Sequence, residues 1–364
     1  MQPESFGWLP VSSVRKFGKN FALLLLLNLQ ELRNNPQMTI RAFFRAAKVE
    51  SAQPPYDTIH LKVLYPAQMS GGEAQRDQGI VPADPAQAPF PVAIFFNGIN
   101  CGSELYQWLA VKLVERGLVV VTFTWIAENL PGIVGLTPGV DIGMWAPNTY
   151  GTGPTASALP ALLGELERLQ SEGLLAGLLD LEKVILGGHS AGGRVAIENA
   201  APRFFPQVAA SFAYGAHTAA PVIMGYEPST ILPLPDSLPM LLMGGTRDGV
   251  IANSSDRYGI SNGDATTSVV RTFQEAISGG RNDCYLMLVE GANHFSIAYP
   301  QDPTTARAFL DEPTTQPEED IRSLLAQTVG LFIDAHVRQQ PEAVRALEQL
   351  LDTNNPLIQL CDRK

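Results

Sequence analysis

The chain is short of cysteine, of histidine and of positive charge. Its three cysteines, Cys101, Cys284 and Cys361 in 364 residues, are too few and too scattered for a disulfide framework or a zinc site with short ligand spacing. At most one bridge is left open. Lys and Arg number 25 against 36 Asp and Glu, for a formal charge of -11, and no Lys/Arg-rich run offsets this. Nucleic-acid binding is not expected, because that affinity comes from neutralising phosphates with basic side chains. The apolar run "FALLLLLNL" at residues 21–29 falls well short of the ~20 residues a membrane span needs. It follows Arg15, Lys16 and Lys19, but no small-residue cleavage pattern comes after it, so a secretory signal is the weaker reading. The run reads either as a helix docked on the domain or a partner, or as a helix lying peripherally in a membrane interface.

What is present is a large apolar fraction in an alternating order. Hydrophobic residues make up 45% and charged residues 17%, enough for one large domain or two. Short apolar runs ("YDTIHLKVLYP", "FPVAIFFNG", "LVVVTFTW", "LEKVILGGHS", "VAASFAYGA", "PMLLMGGT", "CYLMLVEGA") alternate with segments of helical period ("ELYQWLAVKLVERG", "ALPALLGELERLQSEGLL", "AGGRVAIENAA", "SVVRTFQEAIS", "IRSLLAQTVGLFIDAHV"). That order predicts an α/β fold with a mostly parallel sheet, since near-continuous apolar strands suit a sheet buried on both faces. The expected organisation is an N-terminal helical extension over residues 1–50, a catalytic domain over 51–340, and a C-terminal helix and tail over 341–364. Residues 126–155 are rich in Gly and Pro yet keep Leu130, Ile133, Val134, Leu136, Met144, Trp145 and Tyr150. They read either as an irregular connection packed on the core or as a cap over a greasy binding site. In the second reading Ile133, Leu136, Met144 and Trp145 bind substrate.

The stretch "ILGGHSAGGR" places Ser190 between a strand and a helix, inside Gly188-His189-Ser190-Ala191-Gly192. A serine at such a turn is a nucleophile candidate, held in a strained backbone with small neighbours because helix and strand approach closely. A serine hydroxyl needs a base, usually histidine oriented by a carboxylate. Of five histidines, His60 falls in an early strand and His336 in a late helix. His189 adjoins the serine with its ring turned away, and His217 is a rival. His294, after the apolar strand in "GANHFSI", is the expected base. Asp248 in "GGTRDGVI" directly follows a strand and is the expected acid, whereas Asp236, Asp256 and Asp264 lie in loops without one. Backbone N–H groups of Ala191 and of Ile99, in the loop after "FPVAIFF", are the expected oxyanion donors. Cys101 nearby reads as a small buried residue.

These blocks, "GGHSAGG", "GGTRDGVI" and "EGANHFSI" with "VAIFFNGINCGSELYQWLAVKLVERGLVVVTF" upstream, resemble the α/β-hydrolase branch that contains chlorophyllases and bacterial cutinase-like polyester hydrolases. The resemblance runs over residues 56–337. It implies an eight-stranded, mostly parallel sheet, a cofactor-free and metal-free Ser-Asp-His esterase, and an oxyanion hole at Ile99 and Ala191. Asn97 departs from the histidine or proline that often precedes the loop glycine. The paired cysteines that follow the catalytic histidine in many secreted cutinase-like enzymes are missing, and the segment before Tyr56 and the insertion at 126–155 exceed the compact cutinase pattern. Together these departures favour a cytoplasmic enzyme for a bulky lipophilic ester, with chlorophyll as the leading guess. A lipase, thioesterase, acyltransferase or general carboxylesterase would use the same machinery. A hydrolase-fold binding protein without catalysis is the alternative of another class.

Overall fold

Strands form where β-branched and aromatic residues concentrate, and all but two, which form a hairpin of their own, pair into one large sheet. The computed structural model describes residues 39–69, 72–130, 132–352 and 355–364. In chain order the strands are β1 (Thr39–Lys48), β2 (Thr58–Ala67), β3 (Phe90–Phe96), β4 (Val119–Thr124), β5 (Ile126–Leu130), β6 (Ile133–Leu136), β7 (Leu179–His189), β8 (Val208–Tyr214), β9 (Met240–Gly245), β10 (Cys284–Val289) and β11 (Ile358–Arg363). Nine of them form one sheet in the order β1-β2-β4-β3-β7-β8-β9-β10-β11. The central run from β4 to β10 is parallel throughout, while β2 pairs antiparallel with β4 and β11 with β10.

Period-2 alternation divides the core into two layers. Phe90, Val92, Ile94 and Phe96 of β3 and Leu186 of β7 point to one face, where the helices α2 (Leu159–Ser171), α3 (Ala191–Glu198) and α4 (Thr267–Ala276) bury their apolar stripes. Ala93 and Phe95 of β3 and Ile185 of β7 point to the other. There they meet α1 (Gln107–Val114), α5 (Glu318–His336) and α6 (Pro341–Asp352). Covering both faces is what lets the central strands be apolar at nearly every position.

The sequence expectations need three corrections. The sheet has nine strands rather than eight, because β11 joins the edge beside β10. Residues 341–364 are therefore not a separate tail, and residues from Ile40 to Lys364 form one compact unit. The described end of the segment expected as a helical extension is the strand β1, whose charged Arg41, Arg45 and Lys48 mark a sheet edge. The apolar run at residues 21–29 lies outside the described residues. Among the described residues, no helix is long and apolar enough to cross a membrane.

The chain order places the site. From β3 the chain moves outward to β4, and it later returns to the other side of β3 as β7 before continuing to β8, β9 and β10. The topological switch therefore falls between β3 and β7. The loops leaving the carboxyl ends of those two strands diverge there and open a crevice, the usual ligand position in an open α/β sheet.

Candidate active site

The loop after β7 is one tight residue, Ser190, with φ 55° and ψ -124°. A side chain in that region is strained and persists only where the surroundings hold it. Two glycines show why the turn needs small neighbours. A Cβ on Gly192 would lie 2.3 Å from the carbonyl oxygens of Phe96 and Asn97, and one on Gly188 would lie 2.4 Å from that of Gly192. Helix, nucleophile strand and β3 are thus in backbone contact around Ser190. The Ser190 N–H donates to the Tyr214 carbonyl at 2.9 Å, which ties the turn to the end of β8.

Gly215, the next residue, has φ 60°, and a Cβ there would lie 3.1 Å from His294 Nδ1 and 3.3 Å from Asp248 Oδ2. His294 and Asp248, the expected base and acid, therefore rest on the residue that follows the Ser190 hydrogen-bond partner. His294 Nδ1 and Asp248 Oδ2 are 2.7 Å apart, with both side chains almost completely buried. Asp248 Oδ1 accepts the Ile251 N–H at 2.8 Å, which fixes the carboxylate through the single-turn helix Gly249–Ala252. Burial opposes charge on His294. The Asp248 carboxylate, through attraction and its hydrogen bond, and Asp311 farther out nevertheless hold its pKa above the ordinary imidazole value. With Nδ1–H given to Asp248, Nε2 is left as the basic nitrogen.

The rivals are placed elsewhere. His217 is buried edge-on to Tyr258, its Nδ1 accepts the Ala219 N–H at 3.2 Å, and burial together with Arg194 and His294 pushes its pKa down to about 3. His60 is exposed on β2, and His336 Nε2 meets the Tyr285 hydroxyl at 3.0 Å. Asp236 accepts from the Ser278 N–H and Asp264 caps the turn at Thr266 and Thr267, while Asp256 is exposed.

The two expected oxyanion donors flank Ser190. Ala191 opens α3, where an N–H has no intrahelical acceptor. In the loop after β3, Gly98 N–H goes to the Tyr106 hydroxyl and Asn100 N–H to the Leu136 carbonyl. The Ile99 N–H between them has no partner among the described residues. Asn97 gives this loop its shape, because its side-chain amide donates to the carbonyls of Gly98 at 3.0 Å and Cys101 at 2.9 Å. A proline there would lack those donors. Cys101 is buried, and burial raises its pKa to about 11, as expected of an inert thiol.

The four residues expected to bind substrate do different things. Ile133 is 55% exposed on the β5–β6 hairpin, paired with Leu130, and Ile126 and Val134 of the same hairpin are exposed too. Leu136 donates its N–H to Asn100 Oδ1 at 3.1 Å, clipping the hairpin to the oxyanion loop. Met144 packs against Gly153. The Trp145 indole N–H donates to Glu198 at 2.9 Å, and its ring lies 4.1 Å under the Arg194 guanidinium, which itself pairs with Glu198 at 2.7 Å. A cavity of about 470 Å³ beyond the far end of α3 is lined by Tyr150, Glu198, Phe204 and Leu234 among others, and by none of Ser190, Asp248 and His294.

Sequence reasoning missed Asp311. Its carboxylate accepts the N–H groups of Gly249 at 2.9 Å and of His294 and Phe295 at 3.2 Å, joining the acid loop to the base loop. Nothing in the acidic, Pro-containing stretch "FLDEPTTQPEED" singles it out. No protein-family model matches the chain and no curated protein matches it. The chemistry therefore has to be read from the arrangement itself. Among the described residues, no cluster of three or more His, Cys, Asp or Glu side chains is placed to hold a metal ion.

Proposed function

We propose that the chain is a serine carboxylic-ester hydrolase of the α/β-hydrolase fold, with Ser190 as nucleophile, His294 as general base and Asp248 as its orienting acid. The observation that carries this reading is the buried 2.7 Å His294–Asp248 pair packed on Gly215, the residue after Tyr214, whose carbonyl accepts the N–H of Ser190 at φ 55°. A buried carboxylate and imidazole with no chemical task would be a costly arrangement for a core, and a strained nucleophile turn adds to that cost.

In the proposed mechanism the Ser190 hydroxyl attacks the ester carbonyl as its proton passes to His294 Nε2. The tetrahedral oxyanion is received by the N–H groups of Ile99 and Ala191. His294 then returns the proton to the departing alcohol, leaving an acyl-enzyme. Water, deprotonated by the same nitrogen, attacks that ester and releases the acid. Asp248 keeps the Nδ1–H tautomer and stabilises the imidazolium throughout. None of these steps calls on a cofactor.

A lipophilic ester is the substrate class we favour. Ile99, Ile126, Ile133 and Val134 are exposed apolar side chains on loops that leave the carboxyl edge of the sheet around Ser190, and the hairpin among them is clipped to the oxyanion loop. Exposed apolar side chains on a hairpin fastened to the loop of the proposed oxyanion donor suit a substrate that buries apolar surface there. Within that class the resemblance of the motif blocks favours chlorophyll, cleaved to chlorophyllide and phytol. A panel of purified protein with chlorophyll, a triglyceride, long and short p-nitrophenyl esters and a polyester film tests both levels. Release of chlorophyllide is expected to be the most efficient reaction. Turnover of short esters alone would refute the lipophilic substrate, and turnover of none would refute the hydrolase.

A further inference from the structure

His189, the residue before the nucleophile, is buried and takes no part in the mechanism above. Its ring nonetheless joins two loops that the chemistry needs. Gly98 N–H lies 3.2 Å from the Tyr106 hydroxyl, that hydroxyl lies 2.8 Å from His189 Nδ1, and His189 Nε2 lies 2.9 Å from the carbonyl oxygen of His294. The protons in this chain can be placed by elimination. A carbonyl only accepts, so Nε2 carries the hydrogen. The neutral ring then offers Nδ1 as an acceptor, Tyr106 donates to it, and the Tyr106 oxygen accepts from Gly98. Burial, and then the neighbouring His294, push the His189 pKa well below the ordinary value, in keeping with a neutral ring.

The two ends of the chain matter. Gly98 precedes Ile99, whose N–H is the proposed oxyanion donor, and His294 is the proposed base. One imidazole therefore links the oxyanion loop after β3 to the base loop after β10 from beneath the nucleophile turn. The ring is packed 4.7 Å from the His294 ring and 5.7 Å from that of Phe295, centroid to centroid, which leaves it little freedom to swing. We propose that His189 is a positioning residue that, through Tyr106, holds the Ile99 N–H and the His294 ring at a fixed separation. The inference rests on the hydrolase reading of Ser190.

Such a brace acts on the transition state more than on substrate binding, because displacing an oxyanion donor or a base costs rate without removing a substrate contact. The test is a double-mutant cycle of Tyr106→Phe and His189→Phe on a short soluble ester. Turnover is normalised to the sites titrated by a fluorophosphonate, and the affinity of a trifluoromethyl ketone, which forms a tetrahedral adduct, is measured alongside. Each single variant is expected to lower kcat per titrated site on the order of 10-fold and to weaken the ketone in parallel, while KM changes less than about 2-fold. The double variant should be no worse than the poorer single, since both cut one chain. His189→Gln, which keeps a side-chain N–H for the His294 carbonyl, should lose less than His189→Phe, and it stands in should the phenylalanine variant not fold. Multiplicative losses in the double variant, His189→Gln equal to His189→Phe, or losses confined to Tm and to the fraction titrated would overturn the inference and leave the hydrolase standing. A wild-type protein that neither titrates nor turns over would overturn both.

Discussion

Two loop regions leave the same edge of the sheet, and the fold treats them in opposite ways. Around Ser190 three buried or half-buried polar side chains are committed. Asp248 serves His294 and Ile251, Asp311 collects four N–H groups, and His189 bridges Tyr106 and the loop of His294. On the β5–β6 hairpin, by contrast, Ile126, Ile133 and Val134 stand in solvent. A buried, satisfied polar network gains strength from its low dielectric and keeps one geometry, as bond-making chemistry requires. An exposed apolar edge gains only when it meets something apolar. On the proposed reading one region holds reacting atoms still and the other meets a lipophilic substrate, so damage to the two should separate in different assays.

The contrast is tested most severely at the nucleophile. Ser190→Ala should reduce kcat on every ester on the order of 10⁶-fold and leave the thermal midpoint unchanged or slightly higher, as assayed by turnover and calorimetry. Asp248→Asn should cost on the order of 10⁴-fold, while Asp256→Asn and Asp264→Asn leave turnover nearly untouched. The pH profile sharpens this prediction. The base works only when neutral, so kcat/KM should rise with pH through a pKa above 6.5, the ordinary value for the imidazole. In Asp248→Asn that inflection should move down, because burial then acts without the carboxylate to oppose it.

Trp145 packs on Arg194 and Glu198 of α3 and should behave like neither region. Removing it bares the Arg194–Glu198 pair and leaves a Glu198 oxygen without its indole partner. Full burial of an aromatic ring makes its truncation cost ~3–5 kcal/mol, so half-buried Trp145→Ala should destabilise by about 2 kcal/mol, read in a urea melt. All esters should suffer alike. The smallest effect belongs to the hairpin. Ile133→Asp combined with Val134→Asp should lower kcat/KM for a long-chain ester about 10-fold, the size expected from losing one or two apolar contacts, and leave p-nitrophenyl acetate unchanged.

How far the sequence carried depended on whether a feature is local. The strand–Ser190–helix turn, the strand before Asp248 and the strand before His294 are each written within about ten residues, and the structure brings Asp248 and His294 to 2.7 Å. The parallel central strands were legible for the same reason, because burial on both faces forces apolar runs. Edge strands were not. β1 and β11 are half-exposed and carry charges, so their composition resembles that of surface helix or tail, and only pairing to a neighbour defines them. The Asp311 contacts to His294, Phe295 and Gly249 and the Tyr106–His189 link span 16 residues or more, and no spacing rule predicts them. The Arg194 guanidinium on the Trp145 ring was not legible either, because an apolar side chain in a Gly/Pro-rich loop does not reveal its partner.

The central claim is that Ser190 is an activated nucleophile, and covalent labelling measures that most directly. Folded wild-type protein treated with a fluorophosphonate should gain one adduct by intact-mass spectrometry, mapped by peptide sequencing to Ser190. Ser190→Ala should gain none, and His294→Ala should label far more slowly. A folded wild-type protein that stays unlabelled, or that labels at another residue while Ser190→Ala labels equally well, would contradict the account.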